Sequence, residues 1–273
     1  MTNIANWKQA NSDISLPQAG SQGVSSAAIV TGARSGEPMK FPWQDVRFAL
    51  GMGSIDNPGY FDHFLGNEGL TTIPAPWRAT LASTGTIAVV AGGVDGILRE
   101  TTAATNNDSV VAALGVNWIA SNGYLYFEAK ASMPALVTRV HEIGLGNAIT
   151  QTGGLNFSAH IASGPTAVAT DAIVFAFDTA SGGANWVISS VKASGTPQGV
   201  DTGIPVVDAQ EYVLSMLIDD AGTAYCWIDG ELVATLTDAI TASAAHTPWV
   251  STKAKAATAT ILNVDYVGIV AQA

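Results

Sequence analysis

Hydrophobic residues fall in short runs, many of them alternating with polar ones, and each run ends at a turn-forming cluster. Residues 123–131 read GYLYFEAKA, residues 172–178 AIVFAFD, and residues 185–191 NWVISSV. Residues 211–218 read EYVLSMLI, residues 223–229 TAYCWID, and residues 261–270 ILNVDYVGIV. Alternation with period two is the signature of a strand with two distinct faces. No long segment carries an apolar stripe at a spacing of 3.6 residues, so helices are expected to be few and short. About a dozen short strands separated by regular turn signals predict an all-β, two-sheet antiparallel sandwich or jelly roll.

The clearest local prediction is a three-stranded meander near the C-terminus. EYVLSMLI runs into Asp219-Asp220-Ala221-Gly222, TAYCWI follows, and Asp229-Gly230 leads into ELVATL. Asp-Gly between apolar runs is a strong hairpin signal. In the middle strand Tyr225 and Trp227 share one face and Cys226 and Ile228 the other. Both faces are apolar, which predicts a strand stacked between two layers, with Trp186 and Trp227 in the core. Residues 1–58 are rich in Ser, Gln, Asn and Gly, with small apolar patches at Ala27–Val30 and Phe41–Trp43. They read as an extended N-terminal arm. The main domain is expected to occupy residues 59–273, opening with a strand at Tyr60–Leu65. Residues 239–260 are weakly patterned and read as a loop with one strand.

Composition narrows the function classes. Hydrophobic residues make up 48% of the 273, charged ones only 12%, and mean hydropathy is +0.27. An ordinary soluble domain is about 25% charged. High apolarity excludes a disordered chain. Lys plus Arg number 11 against 22 Asp plus Glu, a net charge of −11, which argues against a nucleic-acid partner. A single cysteine, Cys226, excludes a disulfide framework and reads as a small buried hydrophobe. No run reads as a membrane span and the N-terminus does not read as a signal peptide. The excess apolarity calls either for a large core or for surface buried between subunits.

Candidate chemistry is sparse. His63, His141, His160 and His246 are isolated, without metal-ligand spacing, and His141 and His160 read as sheet residues. Asn106-Asn107-Asp108 and Asp219-Asp220 could contribute to a calcium site, but read more simply as turns. No cofactor is expected. Of the seven Trp, Trp77 beside Pro76 and Trp249 after Pro248 fall in expected loops, where each could stack on a sugar or on a neighbouring subunit.

The meander TAYCWIDGELVATL, the closing strand LNVDYVGIVAQ and the opening FDHFLG resemble the concanavalin A-like lectin/glucanase jelly roll. The order of segments, with YFEAKASMPAL before IGLGNA and a W-x-DG hairpin before VDYV, is similar to a group of tailed-bacteriophage virion structural proteins. The resemblance spans roughly residues 60–273 and leaves the arm outside. It implies a capsid-decorating subunit, made in a host cytoplasm and located in the virion. Its partners would be other copies of itself and a major capsid protein, with arm contacts through Trp7, Phe41 and Trp43. The alternative is a carbohydrate-binding module that recognises a receptor glycan. A third reading, glycoside hydrolysis, meets an obstacle. Glucanases of this fold carry two carboxylates in an E-x-D-x-x-E strand. Here Glu142 fills the first position, but Gly144 and Asn147 stand at the others. The chain is therefore expected not to be an enzyme. Glu142 is expected to pair with a nearby cation such as Arg139.

Overall fold

The computed structural model describes residues 59–64, 76–90, 96–115, 118–134, 138–179 and 184–272. The expected arm, with Trp7, Phe41 and Trp43, lies outside them. The strands are β1 (Gly59–Asp62), β2 (Trp77–Leu81), β3 (Thr86–Val90), β4 (Ile97–Thr101), β5 (Ser109–Leu114) and β6 (Tyr124–Ser132). They continue with β7 (Arg139–Gly146), β8 (Phe157–Ala159), β9 (Thr166–Ala167), β10 (Ala172–Asp178), β11 (Asn185–Val191) and β12 (Gln198–Pro205). The last five are β13 (Glu211–Asp219), β14 (Ala224–Ile228), β15 (Glu231–Leu236), β16 (Thr247–Ala254) and β17 (Ile261–Ala271). The helical element among the described residues is a single 3-10 turn, Thr152–Gly154. None of their helices is long and apolar enough to cross a membrane.

Two antiparallel sheets face each other. One has eight strands in the order β15-β14-β13-β6-β17-β4-β3, with β1 also on β17. The other has seven, in the order β12-β11-β10-β7-β16-β5-β2. Alternation sorts each strand into the two layers. In β13, Tyr212, Leu214, Met216 and Ile218 enter the core, and Val213, Ser215 and Leu217 face outward. In β10, Ile173, Phe175 and Phe177 enter the core from the other side. Trp186 of β11 packs edge-on against Tyr212, ring centroids 5.6 Å apart, and both are buried. Cys226 and Ile228 enter the core, and burial pushes the Cys226 thiol up, the expected state of an inert buried cysteine.

One segment makes a third layer. Residues 147–170, with the 3-10 turn and the β8–β9 hairpin, form a strap over the outward face of the seven-stranded sheet. Phe157 packs there on Ala172, Val174, Ala176 and Val191. Glycines on both sides permit the close approach. A Cβ on Gly146 would sit 2.7 Å from Asn156 Oδ1. A Cβ on Gly154 would sit 2.2 Å from Ser109 Oγ, and its φ of +71° also suits glycine. As a result every residue of β5, β7 and β10 is buried.

Candidate functional site

Two outward faces carry the chemistry, and the sequence pointed to only one of them. On β7, period two turns His141, Ile143 and Leu145 to the core, and Glu142, Gly144 and Gly146 outward beneath the strap. Glu142 is fully buried. Its carboxylate accepts hydrogen bonds from the strap amides of Asn156 (2.7 Å) and Phe157 (2.8 Å), and from the Trp249 indole N–H (3.0 Å). His160 Nε2 lies 3.1 Å from Glu142 Oε1, in contact but outside hydrogen-bond geometry, while its Nδ1 is 3.0 Å from Ser189 Oγ. Glu142 therefore fastens the strap to the sheet. Arg139 is not its partner. Three residues apart on a strand, the two side chains leave by opposite faces, and Arg139 Nη1 lies 3.4 Å from His141 Nε2 instead. Burial and the Arg139 charge hold His141 neutral, well below the ordinary histidine range.

The glucanase pattern fails here for a steric reason as well as a chemical one. A Cβ at Gly144 would sit 2.4 Å from the Ile173 carbonyl oxygen and 2.8 Å from Val174 Cα, so no carboxylate fits. Asn147 lies past the strand end and gives its amide to Thr170 Oγ1 at 2.6 Å. A retaining or inverting mechanism needs two carboxyls flanking the sugar. Glu142 has neither the second carboxyl of that motif nor an opening to solvent.

Both tryptophans expected in loops are buried. Trp249 lies on β16, opposite Gly144, at 0% exposure. Pro248 suggested a loop, but it is the second residue of the strand. Trp77 opens β2 at 4% exposure, with its indole N–H on Asp62 Oδ2 (3.0 Å) and its ring beside Phe64. Neither can stack on a ligand. The two Asn/Asp clusters are turns. Asp219 Oδ1 accepts the amides of Ala221 and Thr223, and Asn107 takes a left-handed φ of 66°. Among the described residues there is no group of three or more His, Cys, Asp or Glu that could hold a metal ion. An open groove of about 410 Å³ between Pro165–Thr170 and the β11–β12 turn is lined by Val168, Val191 and Ser194, with no charged or aromatic side chain.

The outward face of the eight-stranded sheet is different. Its register aligns one transverse row. Trp227 of β14 stands opposite Ser215, Ser215 opposite Glu128, Glu128 opposite Gly268, and Gly268 opposite Phe61. The next row carries Tyr225, Leu217, Tyr126 and Val270. Trp227, expected in the core, is thus half-buried on the outside, its ring 6.4 Å from that of Tyr225 and at 29° to it. Leu232 of β15, paired with Trp227, is 50% exposed. At the row's centre Glu128 accepts hydroxyl hydrogen bonds from Tyr126 (2.6 Å) and Tyr266 (2.9 Å). Burial raises Glu128 above the usual carboxylate range, which the two hydroxyls only partly counter. Phe61, His63 and Tyr266 close the far end, with ring centroids 4.5–5.5 Å apart. Alternation in TAYCWID exposed this pair, but not which of two apolar faces was outermost.

No family model matches the chain, and no curated protein matches it in sequence. Its fold matches solved structures. It is similar to a glycoside hydrolase family 16 endo-glucanase from Bacteroides ovatus, with 12% identity, a TM-score of 0.52, and 77% of this chain and 99% of that one covered. It is similar to peanut lectin at 8% identity, with a TM-score of 0.52 and 78% and 97% covered. It is also similar to a pseudo β-1,3-glucanase of Mycobacterium tuberculosis at 12% identity, with a TM-score of 0.53 and 77% and 97% covered. These likenesses show the concanavalin A-like jelly-roll fold shared by lectins and glucanases. At such identities they show the fold alone.

Proposed function

We propose that the domain binds carbohydrate without hydrolysing it, through the outward aromatic row of the eight-stranded sheet. The observation that carries this reading is the half-buried Tyr225–Trp227 pair, with ring planes 29° apart on one strand. Such a pair offers a flat apolar platform with polar rims, suited to the C–H face of a sugar. Ser215, Tyr126 and Glu128 lie buried beside it, so contact with the sugar falls to the two rings. The fold, which lectins and glucanases share, supports the class of ligand. The closed face around Glu142 supports binding over hydrolysis. A glycan array probed with the full chain tests the proposal, alongside Trp227→Ala and Tyr225→Ala variants checked for folding by circular dichroism. Binding by the wild type that is lost in both variants supports it. A folded wild type silent on the array, or binding unchanged in both variants, overturns it.

A second reading keeps the virion role, in which the chain packs on copies of itself and on a major capsid protein. It is favoured by Leu232, which extends the Trp227 platform as exposed apolar surface along the β14–β15 edge hairpin. The arm, through Trp7, Phe41 and Trp43, would add contacts. Light scattering on the full chain and on Leu232→Glu tests it. An oligomer that the substitution dissociates supports the second reading, and a wild-type monomer argues against the self-association part.

A further inference from the structure

Glu100 lies in β4, where alternation sends it into the core with Leu98. It stands between Ile87 of β3 and Leu262 of β17, both buried. β5 and β16 of the other sheet pack against this strand. Glu100 is 0% exposed, and neither carboxyl oxygen has a partner in full hydrogen-bond geometry, although the Ala112 backbone amide lies beside it. Among the described residues no charged side chain compensates it. The inward residues are Ile87 and Val89 from β3, Val110, Ala112 and Leu114 from β5, and Leu262 and Val264 from β17. β16 adds Val250 and Thr252, and His141, opposite Thr252, is held neutral. Asp108 precedes β5 and accepts the Ala103 amide. Arg99 of the same strand faces away, onto Asn263 Oδ1 at 2.9 Å. A buried charge without water or counter-ion is strongly disfavoured, so the core accepts this carboxyl with its proton on.

We infer that Glu100 is a pH sensor built into the fold: its protonated form belongs to the closed sandwich, and its ionisation loosens the corner formed by β3, β4 and β17. Burial holds Glu100 well above the carboxylate range, and the Ala112 amide offsets only part of that. The sign follows from linkage. The folded state holds this proton more tightly than the unfolded chain, so the contribution to stability is fully present below the ordinary value of 4.5. It is lost as pH rises toward the folded-state value. β3 is an edge strand, so the loosening is expected to show first there.

Thermal melts of the full chain between pH 4 and 9 test this, comparing wild type with Glu100→Gln and Glu100→Leu. Glu100→Leu guards against an amide that the core refuses, because it matches the surrounding aliphatic side chains. The expected result is a Tm gap that widens with pH in favour of a variant, reaching several °C at the alkaline end. Amide exchange in β3 and β4, corrected for intrinsic rate, should rise with pH in the wild type and stay flat in the variant. A gap independent of pH for both variants, or equal exchange profiles, overturns the inference.

Discussion

The two outward faces of this sandwich use similar residue types to opposite ends. Each carries a glutamate near its middle and a tryptophan two strands or fewer away. On the seven-stranded sheet, Glu142 and Trp249 are sealed under the 147–170 strap, and both are 0% exposed. There the glutamate is structural, because its acceptor capacity is taken by two backbone amides and an indole. On the eight-stranded sheet, Glu128 is also buried, at 1% exposure, but accepts from two tyrosine hydroxyls, and Trp227 is left half-buried. What separates the faces is the covering layer. Glycines at 144, 146 and 154 let the strap and the neighbouring strand approach one face, whereas the aromatics at 225, 227 and 266 stay half-exposed on the other, above a buried row of Tyr126, Leu217 and Val270. A carboxylate on a lectin-like sheet is thus no sign of catalysis until its cover is known.

The largest expected effect comes from removing the fastening. Glu142→Ala leaves two buried strap amides without partners, and the Trp249 indole N–H with Ser251 Oγ alone, and should cost about 3–5 kcal/mol. Chemical denaturation measures the loss, and limited proteolysis should cut first within 147–170. A loss below about 1 kcal/mol would erase the distinction between the faces. Next, Gly144→Asp restores a carboxylate to the glucanase pattern. Its Cβ meets the Ile173 carbonyl, so overpacking should cost about 1–3 kcal/mol or prevent folding, with no gain of glucan hydrolysis. Trp227→Ala should cost only about 1–2 kcal/mol, since the ring is half-buried, while weakening glycan binding by roughly tenfold or more.

The smallest effect lies between the faces, at Asp171. Burial raises this carboxyl, but hydrogen bonds from His246, Thr241 and Ala193 outweigh it and hold it below the ordinary 3.8. Its contribution to stability is therefore present above 3.8 and lost as pH falls through the lower folded-state value. Asp171→Asn should lower Tm across neutral and alkaline pH and so flatten the acid limb of a Tm-against-pH curve. An unchanged acid limb would show that this carboxylate does not tie the loops together.

Much of the fold was legible in the pattern. AIVFAFD and NWVISSV coincide with β10 and β11, and the meander is β13–β15. The site was less so, for physical reasons. Period two divides a strand into two faces but does not say which one meets the core. TAYCWID is apolar on both, so Trp227 was misplaced inward. Pro248 and Pro76 gave loop signals beside Trp249 and Trp77, but both tryptophans belong to strands, Trp249 on the covered outer face and Trp77 pointing into the core. The excess apolarity suggested subunit surface. Much of it is spent within the chain, because the strap buries the second face of β5, β7 and β10. The strap itself, rich in Gly, Ser and Thr, carries no periodicity that could have announced it.

The central claim is that ligand contact belongs to the half-exposed aromatic pair on one face and not to the sealed face. Titration of the best array glycan against wild type, Trp227→Ala and Glu142→Gln, each first shown to be folded, tests it most directly. The account predicts affinity lost in Trp227→Ala and retained in Glu142→Gln. Affinity retained in Trp227→Ala and lost in a folded Glu142→Gln would contradict it.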